Sequence, residues 1–162
     1  QYESKHKDFK FMGTVPMDFD DIPRLGIKHM DYSQLHNSGK TKIGIVFNLD
    51  ESWKSGSHWV SMYADLKENN VFYFDSYGIA PEPRVRRLMR RIGKAIQKIT
   101  PDSKVRADYN KERHQYKNSE CGVYSINFII RMLRGDNFDE LCSSKISDND
   151  INKCRKSYFS NA

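Results

Sequence analysis

The stretch "HWVSMYADLKENNVFYFDSYG", residues 58–78, constrains the fold more than any other part of this chain. From Trp59 to Leu66 its residues alternate. Trp59, Ser61, Tyr63 and Asp65 lie on one face and Val60, Met62, Ala64 and Leu66 on the other, which is the period of a strand. "ENN" then turns the chain into "VFYFDSYG", a β-branched and aromatic second strand. So short a connection favours antiparallel pairing, with the start of one strand beside the end of the next. His58 and Asp75, seventeen residues apart, are thereby brought to the same edge of a sheet. "KIGIVFNL", Lys42 to Leu49, reads as a buried strand before them, joined through the turn-rich "SWKSGS". The three strands form a meander.

Helices are expected on either side of that meander's sequence partners. Residues 81–99 are helical by period, with Val85, Leu88, Ile92, Ala95 and Ile99 as the buried stripe. Arg84, Arg87, Arg91, Lys94 and Lys98 recur at the same spacing one position earlier. Such a row is a solvated helix face or a surface for a polyanion such as DNA, and adjacent cations repel unless something offsets them. "VRADYN" adds a further short strand, and "CGVYSINFIIRMLRG" reads as a second helix closed by Gly135. "FKFMGTVPMDFDD", residues 9–21, reads as loop with a short strand or turn. A last short helix is capped by Ser147 or Asp148.

At 162 residues the chain is the size of one domain, expected over residues 9–162 with 1–8 as a flexible, lysine-rich lead-in. Its apolar runs are far shorter than the ~20 residues of a membrane-spanning helix. The net charge of +6 is a modest basic excess. Three cysteines without a C-x-x-C pair fit neither a disulfide framework nor a zinc site, and they suit a reducing compartment. No metal or other cofactor is implied.

Cys121 stands at the junction of a polar run, "HQYKNSE", and the apolar helix. There the free N–H groups and the helix dipole favour a thiolate. Gly122 gives a substrate close approach to the backbone. His58 opens a strand and can reach into a cleft, and Asp75 beside it can fix the imidazole tautomer. Gln115, six residues before Cys121, is a candidate oxyanion donor together with the Cys121 N–H. Cys142 and Cys154 have no such setting and read as structural. A small buried cysteine at a helix start is the plainer alternative for Cys121.

"HW", the aspartate of "FDS" seventeen residues later, and then Q-x5-C-G resemble the ubiquitin-like-protein (SUMO) protease family and its viral relatives, including the adenovirus protease. The similarity is greatest to the polyprotein-processing proteases of African swine fever virus and other large DNA viruses. "FKFMGTVPMDFDD", "IGIVFNLD", "GSHWVSMYADL" and "RHQYKNSECGVYS" carry it across most of the chain. That viral relative has Asn where this chain has Asp75. The resemblance implies an α/β (α+β) fold, with a central, mostly antiparallel sheet flanked by helices. It implies Cys121 as nucleophile, His58 as base, Asp75 as orienting acid and Gln115 as oxyanion donor. Trp59, on one strand face in any reading, would also wall a narrow tunnel for a small residue before the cleaved bond. The implied substrates are Gly-Gly-Xaa or Gly-Ala-Xaa sites in viral structural polyproteins, cut in the host cytoplasm or the virion. Two rivals share the fold: an isopeptidase acting on SUMO or ubiquitin, and an effector-type acetyltransferase, whose usual Glu acid Asp75 does not match.

Overall fold

The computed structural model describes residues 1–53 and 58–159, so the Gly/Ser part of the turn expected before His58 lies outside the described residues. Strands β1 (Phe9–Val15), β2 (Lys42–Asn48), β3 (Trp59–Asp65), β4 (Asn70–Phe74) and β5 (Arg106–Tyr109) make one five-stranded sheet in that spatial order. The expected meander is its centre. Strand β2 pairs with β3 and β3 with β4, both antiparallel, and the second pair sets Ser61 opposite Phe74. Both edge strands pair in parallel, β1 with β2 and β5 with β4. The sheet is therefore mixed: antiparallel in its central strands and parallel at its margins. A parallel edge needs a long crossover, and the chain supplies two, the segment between β1 and β2 and the one between β4 and β5.

Alternation along the strands builds two cores. Ile43, Ile45, Phe47, Val60, Met62, Ala64, Val71 and Tyr73 point to one side, where helix α3 (Pro83–Ile99) covers them with Val85, Leu88, Met89, Ile92 and Ile96. The α3 stripe is thus shifted from the expected one. Met89 and Ile96 are buried, while Ala95 and Ile99 are only partly so, because the helical period carries Ile92 on to Ile96. Phe9, Val46, Tyr63, Phe72 and Phe74 point to the other side, onto helix α4 (Cys121–Leu133) through Val123, Tyr124, Phe128, Ile129, Met132 and Leu133. Gly44, in the middle of β2, permits this close approach. A Cβ there would stand 2.9 Å from the Phe9 ring and 3.1 Å from Ile129 Cγ2. The result is three layers, helix on sheet on helix.

Shorter elements close the ends. Helix α1 (Tyr2–Lys5) falls within the expected lead-in, and its Glu3 carboxylate accepts the Phe11 N–H at 2.8 Å, fastening it to β1. Helix α2 (Tyr32–Asn37) is capped by Asp31. Helix α4 ends at Gly135, whose φ of 88° is left-handed and whose N–H returns to the Met132 carbonyl. Helices α5 (Phe138–Ser143), α6 (Asp148–Lys153) and α7 (Arg155–Phe159) follow, with Ser147 as the N-cap of α6. No helix among the described residues is long and apolar enough to cross a membrane.

Candidate active site

The site forms at one end of the sheet, where β3 begins, β4 ends and α4 begins. His58 Nε2 lies 2.7 Å from Asp75 Oδ1, the two side chains being 12% and 2% exposed. The ladder places Val60 opposite Asp75 by extension from Ser61 and Phe74, so His58 reaches the carboxylate diagonally. With Nε2 directed to Asp75, Nδ1 is the ring nitrogen left to serve the Cys121 thiol, whose charge the ring feels. Three of the sequence-selected residues are therefore in one chain of contacts.

Electrostatics set the charge state of this group. Burial alone would lower the His58 pKa, but the Asp75 hydrogen bond, the Cys121 contact and the negative charge of both raise it to about 9. For Cys121, burial pushes the thiol up. The His58 hydrogen bond, the Trp59 N–H, the His58 charge and the Gly122 N–H together outweigh burial and hold it below the ordinary thiol value. Both shifts favour the thiolate–imidazolium form of the Cys121–His58 pair. Glu120, the residue before α4, makes no side-chain cap; its carboxylate takes the Ser119 N–H and hydroxyl instead. The first-turn N–H groups stay available to an anion. Cys142 contrasts sharply, since burial pushes its thiol up to about 12. All three cysteines are free.

Gln115 is fully buried, with its Oε1 accepting from Ser76 Oγ at 2.6 Å and its Nε2 donating to the Lys117 carbonyl. One Nε2 hydrogen remains for another acceptor. Gly122 sits in the first turn of α4, where a Cβ would meet nothing within 4 Å, so packing does not demand glycine there. Trp59 is half-buried against the α4-side core.

Residues that sequence reasoning passed over hold this arrangement in place. Asp75 Oδ1 also accepts the Tyr77 N–H at 2.8 Å. Asn110, fully buried just after β5, accepts the Asp75 N–H at 2.9 Å and donates to the Asp75 carbonyl at 2.6 Å and the Glu112 carbonyl at 3.1 Å. The Ser76 carbonyl takes the N–H groups of both His114 and Gln115. The dipeptide Asp75–Ser76 thus braces the histidine with one residue and the glutamine with the next. Gly78, at φ 73°, lets the two loops touch, as a Cβ would stand 2.9 Å from the Glu112 carbonyl carbon. Asn110 closing the "VRADYN" strand was the one visible signal, a polar amide following a strand.

The basic row on α3 divides. Arg91 makes a bidentate pair with Asp20 at 2.7 and 2.8 Å, and Arg84 is held by Glu82 and Glu51. Arg87, Lys94 and Lys98 are exposed and make no ion pair among the described residues. Two of the five expected polyanion contacts are committed to acids, and nothing in the fold supports DNA binding. Among the described residues no group of three or more His, Cys, Asp or Glu could hold a metal.

A thiol at a helix N-terminus, with a carboxylate-held imidazole at the same end of the sheet, is the arrangement a cysteine-type peptidase uses. The chain belongs to the Ulp1 protease family, whose C-terminal catalytic domain matches residues 40–162. It is 38% identical over 99% of its length to a thiol protease of Acanthamoeba polyphaga mimivirus, of which it covers 53%. It is 36% identical over 72% of its length to a SUMO-1 cysteine protease of African swine fever virus, covering 43% of that protein. The chain thus spans about half the length of these relatives. Its fold matches the crystal structure of an African swine fever virus protease with a TM-score of 0.84 at 26% identity, over 99% of this chain and 63% of that one. The SUMO protease Ulp1 shares the fold, with a TM-score of 0.59 at 17% identity over 88% of this chain and 65% of that one.

Proposed function

We propose that this domain is a cysteine endopeptidase cutting after small residues, of the Gly-Gly-Xaa or Gly-Ala-Xaa type, in viral structural polyproteins. The observation that carries this reading is the His58 ring, held by a buried carboxylate on one nitrogen, at the end of the sheet where Cys121 begins helix α4. In the proposed reaction the Cys121 thiolate forms a bond to the scissile carbonyl carbon. The developing oxyanion is received by the N–H groups of the first turn of α4 and by the spare Nε2–H of Gln115. His58 delivers its proton to the leaving nitrogen as the C–N bond breaks, leaving a thioester. Water then attacks the thioester carbonyl while His58 takes its proton, and the acid product leaves with the thiolate restored. Asp75 keeps the imidazole in the orientation both transfers need. Trp59 walls the cleft beside Cys121, and Gly122 leaves the backbone open to the substrate chain. A reducing setting, the host cytoplasm or the virion, suits a free nucleophilic thiol.

The second reading is an isopeptidase acting on a SUMO-like modifier, favoured by the description of the African swine fever virus relative as a SUMO-1 protease. One plate tests both. It holds Gly-Gly-Xaa and Gly-Ala-Xaa peptides, matched controls, and SUMO and ubiquitin C-terminal reporters, with the unmodified domain and Cys121→Ala side by side. Peptide cleavage lost in the variant supports the first reading, and turnover of the folded reporters alone supports the second. Activity surviving Cys121→Ala refutes the assignment of the nucleophile.

A further inference from the structure

A hydrogen bond at each ring nitrogen fixes an imidazole in its own plane but leaves it free to tilt out of that plane. His58 has one such partner in Asp75, at Nε2, and the Cys121 thiol is the neighbour left to Nδ1. On its face lies the Tyr77 ring, stacked at 4.3 Å between centroids with 14° between planes. The Arg113 guanidinium lies over the Tyr77 ring, 4.9 Å from its centroid, and 5.0 Å from the centroid of the Tyr116 ring in turn. Histidine, tyrosine, arginine and tyrosine thus form a continuous pile beside the nucleophile.

This pile is fastened at both ends of the site. The Tyr77 N–H donates to Asp75 Oδ1, the same oxygen that holds His58. Arg113 Nε donates at 2.6 Å to the carbonyl of Gln115. The loop bearing the proposed base and the loop bearing the proposed oxyanion donor are therefore joined through one aromatic ring. The Tyr77 hydroxyl has no partner among the described residues, so the flat ring is the part in use. A cation over the ring holds it by cation–π attraction.

We propose that Tyr77, clamped by Arg113, is a positioning residue for the reaction: its ring locks the plane of His58 so that Nδ1 stays on the Cys121 thiol. The role rests on Cys121 and His58 being the catalytic pair, so the primary readout needs no substrate. The rate of Cys121 alkylation by iodoacetamide is measured at neutral pH by peptide-resolved mass spectrometry, with Cys142 and Cys154 as internal references. The rate constants for the best peptide from the plate above follow.

Tyr77→Leu, similar in bulk but not flat, is expected to slow Cys121 alkylation and kcat about tenfold with KM within twofold. Tyr77→Phe retains both within about threefold, which a role for the hydroxyl would not allow. Arg113→Met, which keeps the stem and removes the cation, falls between them. Unchanged rates in Tyr77→Leu overturn the proposal, as does a Tyr77→Phe variant as slow as the leucine one. Should thermal unfolding show that Tyr77→Leu does not fold, Arg113→Met decides, and wild-type reactivity there also overturns it. If Cys121 in the unmodified domain alkylates no faster than Cys142, the catalytic reading fails and takes the proposal with it. If the alkylation pattern holds while no peptide is cut, the positioning role stands and only the substrate assignment falls.

Discussion

Asn110→Ala isolates a brace that touches no substrate. The native amide makes three hydrogen bonds from a fully buried position. Their loss is unequal. The Asp75 carbonyl keeps the Gly78 N–H at 2.8 Å, and the carbonyl of exposed Glu112 can turn to water. The Asp75 N–H is buried, and its partner is gone. Leaving such a donor unsatisfied costs roughly 1–3 kcal/mol, and the other weakened bonds add about 1 more. A loss of about 2–4 kcal/mol in folding stability is expected, read as the shift in urea midpoint at unchanged m-value. Because Asp75 holds both His58 and the Tyr77 N–H, kcat should also fall by about tenfold, or ~1.4 kcal/mol, with little change in KM. Asn110→Asp sharpens the test. It keeps the acceptor for the Asp75 N–H but sets an oxygen against the carbonyls now 2.6 and 3.1 Å away, so it should be no better than alanine at neutral pH. A stability loss under about 1 kcal/mol with wild-type kcat would refute the view that Asn110 positions the acid.

Gln115→Ala should keep its fold while kcat drops ~10²–10³-fold, the usual cost of one oxyanion donor; an unaltered kcat would remove Gln115 from the oxyanion site. The pH profile of kcat/KM should be bell-shaped. On the alkaline side, activity should fall as pH rises through about 9, where His58 loses the proton that the proposed mechanism has it donate. On the acid side, activity falls as pH drops through the lowered Cys121 value and the thiolate is protonated, so activity still rising above pH 10 would contradict the pair. Arg91→Ala breaks a bidentate pair that is about one-third exposed at each partner and should cost roughly 0.5–1 kcal/mol, whereas Arg87→Ala should stay within ~0.5 kcal/mol of wild type. Equal thermal shifts for the two arginine variants would show the α3 cations to be equivalent after all.

What the sequence determined by itself was whatever local pattern encodes. The alternation before "ENN" and the aromatic run after it specified the β3–β4 hairpin, and with it the meeting of His58 and Asp75, because a short turn leaves antiparallel pairing as the natural outcome. The change from polar to apolar at Cys121 located the start of α4, and Gly135 its end. The parallel edges were not legible. Which side of the meander β1 and β5 join depends on crossovers packed against the sheet, and no local period records that. Nor was the fate of the α3 cations, since Asp20 lies 71 residues from Arg91 and only the folded chain puts them together. Asn110, 35 residues after Asp75, and Arg113 above Tyr77 are of the same kind. A side chain whose purpose is to hold another has partners distant in sequence, and tertiary packing alone brings them within reach.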